Sequence, residues 1–145
     1  ADQTVYIIAG ADSSGETYSF EFAFVVSVSG PEGTENDPYT VQEGVNSGSS
    51  TEYNSKVEAY IKYYTYTAET AGTITLTLTQ GTNTTAAISN ESYTAALKLK
   101  SGQYIYPGDA DTCSLTVEAD QTVYIIAGAD SSGETYSFEF AFVAD

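Results

Sequence analysis

The chain has 145 residues, of which 20 are Asp or Glu and four are Lys; Arg, His, Met and Trp are absent, and the formal net charge is −16. Such a surface repels nucleic acid and anionic membranes, and the lack of histidine excludes a Ser–His–Asp or Cys–His site as usually built. At 41% hydrophobic and 13% aromatic residues the chain is long and apolar enough to fold around a core of its own.

Residues 1–25 read ADQTVYIIAGADSSGETYSFEFAFV, and residues 119–143 repeat them letter for letter at an offset of 118. Val5-Tyr6-Ile7-Ile8 is a short β-prone run, and Asp12-Ser13-Ser14-Gly15 is turn chemistry. Tyr18, Phe20, Phe22 and Phe24 then alternate with Ser19, Glu21 and Ala23, so four rings share one face of a strand. This pattern predicts a β-hairpin in each copy. The apolar face of the first copy, Tyr18, Phe20, Phe22 and Phe24, is the candidate self-association surface, with neighbouring copies of the same module as partners. An identical stretch of this length points to a tandem array of modules, to a piece of such an array, or to deliberate duplication. The expected organisation is a hairpin at 1–28 copied from the end of a preceding module, a Gly/Pro-rich linker at 29–38, and a complete module at 39–145.

Within that module Tyr39-Thr40-Val41 begins a strand, and the polar, Ser/Gly-rich stretch from Glu43 to Asn54 reads as a loop. Val57 to Ala68 is a strong strand with Tyr60, Lys62, Tyr64 and Tyr66 on one face and Val57, Ala59, Ile61, Tyr63 and Thr65 on the other. Residues 73–79 alternate strictly, with Ile74, Leu76 and Leu78 toward the core and threonines toward water. A polar turn at 80–85 leads to a short strand at Ala86–Ile88. Residues 95–100 alternate again, with Leu97 and Leu99 inward. Tyr104–Tyr106, the loop Pro107–Asp111, the strand Thr112–Val117 and the second copy complete the chain. Cys113 shares its face with Leu115 and Val117, which makes it a small core hydrophobe, and a single cysteine forms no internal disulfide. Many short strands with Gly, Pro and Asn turns and no helical periodicity predict an all-β antiparallel sandwich or jelly roll, with Phe138, Phe140 and Phe142 also buried.

Three stretches carry a family resemblance. Residues 63–76, YYTYTAETAGTITL, are similar to the core of bacterial pre-peptidase C-terminal domains; residues 115–128, LTVEADQTVYIIAG, and 133–138, GETYSF, resemble two further segments of the same group. Ala119-Asp120 stands where that group has Ala-Gly. The resemblance implies a non-catalytic β-sandwich of a secreted or surface protein of bacteria, acting as a spacer or binding polysaccharide or calcium.

No apolar run long enough to insert in a membrane is present, and no leader pattern is visible at the start. The Thr/Ser/Gly/Tyr-rich, Lys-poor composition suggests a secreted or bacterial cell-surface location. The best candidate for polysaccharide binding is a tyrosine platform of Tyr60, Tyr64 and Tyr66 with Tyr104 and Tyr106, since flat rings stack on sugar faces. Against it stand the missing tryptophan and the ordinary role of such rings in covering a sheet. Asp109 and Asp111 are the candidate calcium ligands, although two acids fall short of the six to eight oxygens calcium takes, and a solvated acidic loop explains them as well. Otherwise no cofactor is expected. Lys62 is expected to pair with Glu58, whose parity it shares.

Overall fold

The computed structural model describes residues 32–80, 83–97, 103–105 and 112–145. The expected N-terminal hairpin, including Tyr18, Phe20, Phe22 and Phe24, lies outside the described residues, as do Leu99, Tyr106, Asp109 and Asp111.

In chain order the elements are β1 (Tyr39–Thr40), β2 (Gly44–Ser49), β3 (Tyr53–Asn54), β4 (Ala59–Thr67), β5 (Gly72–Gln80), β6 (Thr84–Ser89), α1 (Tyr93–Leu97), β7 (Gln103–Ile105), β8 (Thr112–Val117), β9 (Thr122–Ala129) and β10 (Thr135–Ala144). Among the described residues they form two packed sheets, an all-β sandwich. The larger runs β1-β4-β9-β6-β7, with β3 also paired to β4; the smaller runs β2-β10-β5-β8. All pairings are antiparallel except β1 with β4, where Tyr39 lies opposite Tyr64.

The second copy of the repeat is not a hairpin. β9 pairs with β4 and β6 in one sheet, and β10 pairs with β2 and β5 in the other. The short turn between them crosses from sheet to sheet. Each strand of the repeat is therefore an interior strand of a different sheet. Its composition suits that place: β9 is buried along nearly its whole length, and β10 turns Tyr136, Phe138 and Phe140 inward. The threonine rows of β5 and β8 face outward as neighbours, with the Thr77 and Thr112 hydroxyls 3.0 Å apart.

Between the sheets lie Ile74, Leu76, Cys113, Val117, Val123, Ile125, Phe138 and Phe140, with Leu78, Leu115 and Phe142 partly buried against them. Burial of these side chains follows the period-two pattern of their strands and supplies the main stabilising term. The far face of the larger sheet is covered as well. There Ala59, Ile61, Ala87 and Ile126 pack with Tyr93 of α1. The strand expected over 95–100 is corrected at residues 95–97, while residues 98–100 and the side chain of Leu97 lie outside the described part: residues 93–97 make a single helical turn, begun by the Ser92 hydroxyl accepting from the Ala95 amide at 3.0 Å, an N-cap contact. The loop expected from Glu43 to Asn54 is corrected too. It contains β2 and β3, and β2 takes its strand conformation from continuous pairing with β10, from Ser49 opposite Thr135 to Gly44 opposite Phe140.

Asp120 adopts φ 61°, in the left-handed region that glycine favours and Asp tolerates. Its amide donates to the Ala68 carbonyl at 2.7 Å, closing the turn into β9.

Candidate functional site

The sandwich opens along one side, where the edge strands β1 and β2 of opposite sheets face each other. A cleft of about 300 Å³ lies there, walled by Tyr39, Thr40, Lys62 and Tyr64 from the larger sheet and by Asn46, Ser47, Gly48, Ser49 and Tyr136 from the smaller. Its floor is built from two tyrosines. The Tyr64 and Tyr136 hydroxyls lie 2.8 Å apart, one donating to the other. The Tyr64 ring stands edge-on to Phe138, with centroids 5.2 Å apart, and is tilted against Tyr39. Gly48 has no side chain to occupy the floor; a Cβ there would approach the Tyr136 hydroxyl to 2.7 Å.

Burial pushes the Tyr64 and Tyr136 hydroxyls above the usual phenol range; for Tyr136 the neighbouring Tyr64 adds to the shift. Both stay neutral donors and acceptors across the physiological range. At the rim, the Lys62 ammonium donates to the Glu32 carbonyl at 3.0 Å and lies 4.0 Å from a Glu52 carboxylate oxygen. The acidic partner of Lys62 is thus Glu52, just before β3, and not Glu58, which sits at φ 54° in the turn before β4. Asn46 is committed to the backbone, accepting from the Gln42 amide and donating to the carbonyls of Gln42 and Gly44.

Among the described residues the expected tyrosine platform does not assemble. Tyr64 is buried, and Tyr66 packs its ring on Phe140 and Phe142, so both point between the sheets. The physical reason is that β4 carries rings on both faces and both faces are covered; the face with Tyr64 and Tyr66 turned toward the second sheet. Tyr60 is half-buried beside the exposed ring of Tyr53, centroids 5.2 Å apart. Tyr104 lies in β7 opposite Ala87, and Tyr106 falls outside the described residues. The calcium candidates Asp109 and Asp111 also fall outside them; among the described residues no cluster of three or more His, Cys, Asp or Glu could hold a metal ion. Cys113 is buried, and burial alone pushes its thiol up to about 12, far from thiolate chemistry at neutral pH. Sequence reasoning missed the cleft because its smaller wall, β2, carries only Gly, Val, Asn and Ser.

No protein-family model matches the chain, and no curated protein matches it. Among solved structures it is similar to PliG of Aeromonas hydrophila, a periplasmic lysozyme inhibitor of g-type lysozyme, at 12% identity over 72% of this chain and 95% of that one, with a TM-score of 0.46. Among the described residues no helix is long and apolar enough to cross a membrane.

Proposed function

We propose that the chain is a non-catalytic structural module of a tandem-repeat bacterial extracellular or surface protein. The observation that carries this reading is the position of the repeated segment. Its second copy delivers an interior strand to each of the two sheets, so a period of 118 residues moves the closing element of a whole sandwich as one unit. The side-chain inventory agrees: the chain has no histidine, and its single cysteine is a core residue. The test is a two-period chain made by repeating residues 26–143. The expected result is two sandwiches that unfold with the denaturant midpoint of one, no turnover of peptides, esters or glycans, and no retention on polysaccharides. Reproducible turnover lost on replacing one acidic residue overturns the reading.

A second reading, carbohydrate binding by an extracellular enzyme or scaffold, moves from the tyrosine platform to the cleft. There the ring of Tyr39 and the hydroxyl-bearing Thr40, Ser47 and Ser49 offer stacking and hydrogen bonds at one place. Retention on a polysaccharide that is abolished by Tyr39→Ala favours this reading over the first.

A further inference from the structure

The residues that wall the cleft narrow the charge of what it takes. Lys62 is the one charged residue among them. Its ammonium already donates to the Glu32 carbonyl at 3.0 Å and lies 4.0 Å from a Glu52 carboxylate oxygen, so its charge is largely answered before a ligand arrives. No carboxylate lines the cleft, so a cationic ligand meets an ammonium there and no counter-ion. An acidic polymer is repelled by the chain as a whole, whose net charge is −16. A neutral ligand meets neither obstacle.

The floor narrows its chemistry further. Tyr64 and Tyr136 are 5% and 1% exposed, and their hydroxyls lie 2.8 Å apart. A hydroxyl carries one hydrogen and two acceptor sites. One hydrogen closes the pair. The hydrogen of the accepting hydroxyl and a lone pair of the donating one have no further partner among the described residues. Unanswered polar groups at a buried site are costly. A carbonyl answers only the hydrogen, and an ammonium only the lone pair. A third hydroxyl answers both and closes a ring of O–H···O bonds that polarise one another. Water does the same, and a ligand hydroxyl displaces it bond for bond.

Gly48 of β2 leaves the pair bare. A Cβ there would stand 2.7 Å from the Tyr136 hydroxyl and 3.4 Å from that of Tyr64. Gly48 is not among the glycines of positive φ, so its backbone does not call for glycine; the space above the two hydroxyls does.

We propose that the cleft takes a neutral sugar of a polysaccharide and seats one of its ring hydroxyls on the Tyr64–Tyr136 pair, while acidic and amino sugars are turned away. This rests on the carbohydrate reading of the cleft and adds the class of sugar and the atoms that read it.

The experiment measures retention of the full chain on immobilised neutral polysaccharides (glucan, galactan, mannan and xylan), on polygalacturonate and on chitosan. Retention is expected on a neutral polymer only, and at equal strength in about 0.01 M and about 0.15 M salt, since no charge takes part. The Y64F/Y136F variant keeps both rings and loses both hydroxyls, and its retention should fall at least about 5-fold while its melt stays cooperative. A second measurement guards against a merely structural effect. Among methyl glycosides of the retained sugar that each lack one hydroxyl, one should bind the unmodified chain more weakly than the parent and bind Y64F/Y136F no more weakly than the parent. Neutral retention that survives Y64F/Y136F and is lost in Tyr39→Ala overturns the proposal and leaves the carbohydrate reading standing. So does stronger retention on polygalacturonate or chitosan, or a deoxy series that loses equally in both proteins. No retention on any polymer overturns both.

Discussion

The hydroxyl of Tyr64 on β4 meets that of Tyr136 on β10 at 2.8 Å, and this bond ties the two sheets together at the floor of the cleft. Both side chains are buried, and each hydroxyl serves the other as hydrogen-bond partner. Tyr136→Phe leaves the Tyr64 hydroxyl without that partner and is expected to cost about 1–3 kcal/mol. The Y64F/Y136F double variant removes both polar groups and is expected to lose less than the sum of the single variants. Urea melts of the four proteins check this as a double-mutant cycle; additive losses reject the pairing.

How far the sequence foretold this arrangement differs from strand to strand. Ile74, Leu76, Cys113, Phe138 and Phe140 alternate with polar residues in strands that carry one apolar face, and all five are buried as that period implies. β4 defeats the same argument because it is aromatic on both faces. Parity separates Tyr64 from Tyr63 but does not say which of them meets the other sheet. β2 defeats it for the opposite reason, having almost no apolar residue; its conformation is imposed by β10, whose paired residues lie 86 to 96 positions further on in sequence. In the repeat two strong strands flank a short turn, which predicts a hairpin, yet a turn signal is local and does not specify whether the second strand returns to the same sheet or crosses to the next. The cleft is a product of those two unreadable strands, and so was not foreseen.

Alkaline pH is expected to destabilise the module. Burial raises Tyr64, Tyr93 and Tyr136 above 10.0 and raises Cys113 from 9.0 to about 12. Above pH 9 to 10 the unfolded chain releases these protons while the folded chain keeps them. The unfolded state then binds fewer protons, so stability falls as pH rises, by up to about 1.4 kcal/mol per pH unit for each fully buried group. Thermal melts from pH 7 to pH 11 should show a falling Tm that begins near pH 9, and Y64F/Y136F should flatten the slope. A Tm that is level to pH 11 contradicts the burial of these groups. Over the same experiment Cys113 should react with a disulfide reagent at pH 8 only after denaturant is added.

Gly128, in the interior of β9, offers a direct probe of which copy of the repeat sits in the core. A Cβ there would overlap the Tyr60 carbonyl oxygen and lie 2.8 Å from the Ile61 Cα, and these are backbone atoms of β4, which cannot swing aside as a side chain would. Gly128→Ala is expected to destabilise by about 1–3 kcal/mol through overpacking. Gly10→Ala makes the same change in the first copy and should leave the denaturation midpoint in place. If Gly10→Ala is the damaging substitution, the first copy fills the interior positions.

Asp120 holds a left-handed φ of 61° with a side chain that makes this conformation tolerable but not free. Asp120→Ala is expected to lose about 1 kcal/mol, because alanine has no polar atom to ease the left-handed region. Asp120→Gly is expected to be neutral or to gain up to about 1 kcal/mol, glycine's easier φ being offset by its greater freedom when unfolded. Chemical denaturation of the three proteins checks the order; a glycine variant weaker than the alanine variant refutes it.

The placement of β9 and β10 also bears on how the module is made. β4 and β6 meet only across β9, and β2 and β5 meet only across β10. Both missing middles follow every other strand of the module. A chain emerging from the ribosome or crossing a membrane N-terminus first therefore has no half-module to fold: until residues 119–143 are out, neither sheet has a centre to zip onto. The same order leaves β-rich segments such as AYIKYYTYT exposed for as long as synthesis lasts. The 25 residues that hold both middles stand a second time at residues 1–25, as sequence, 118 positions earlier.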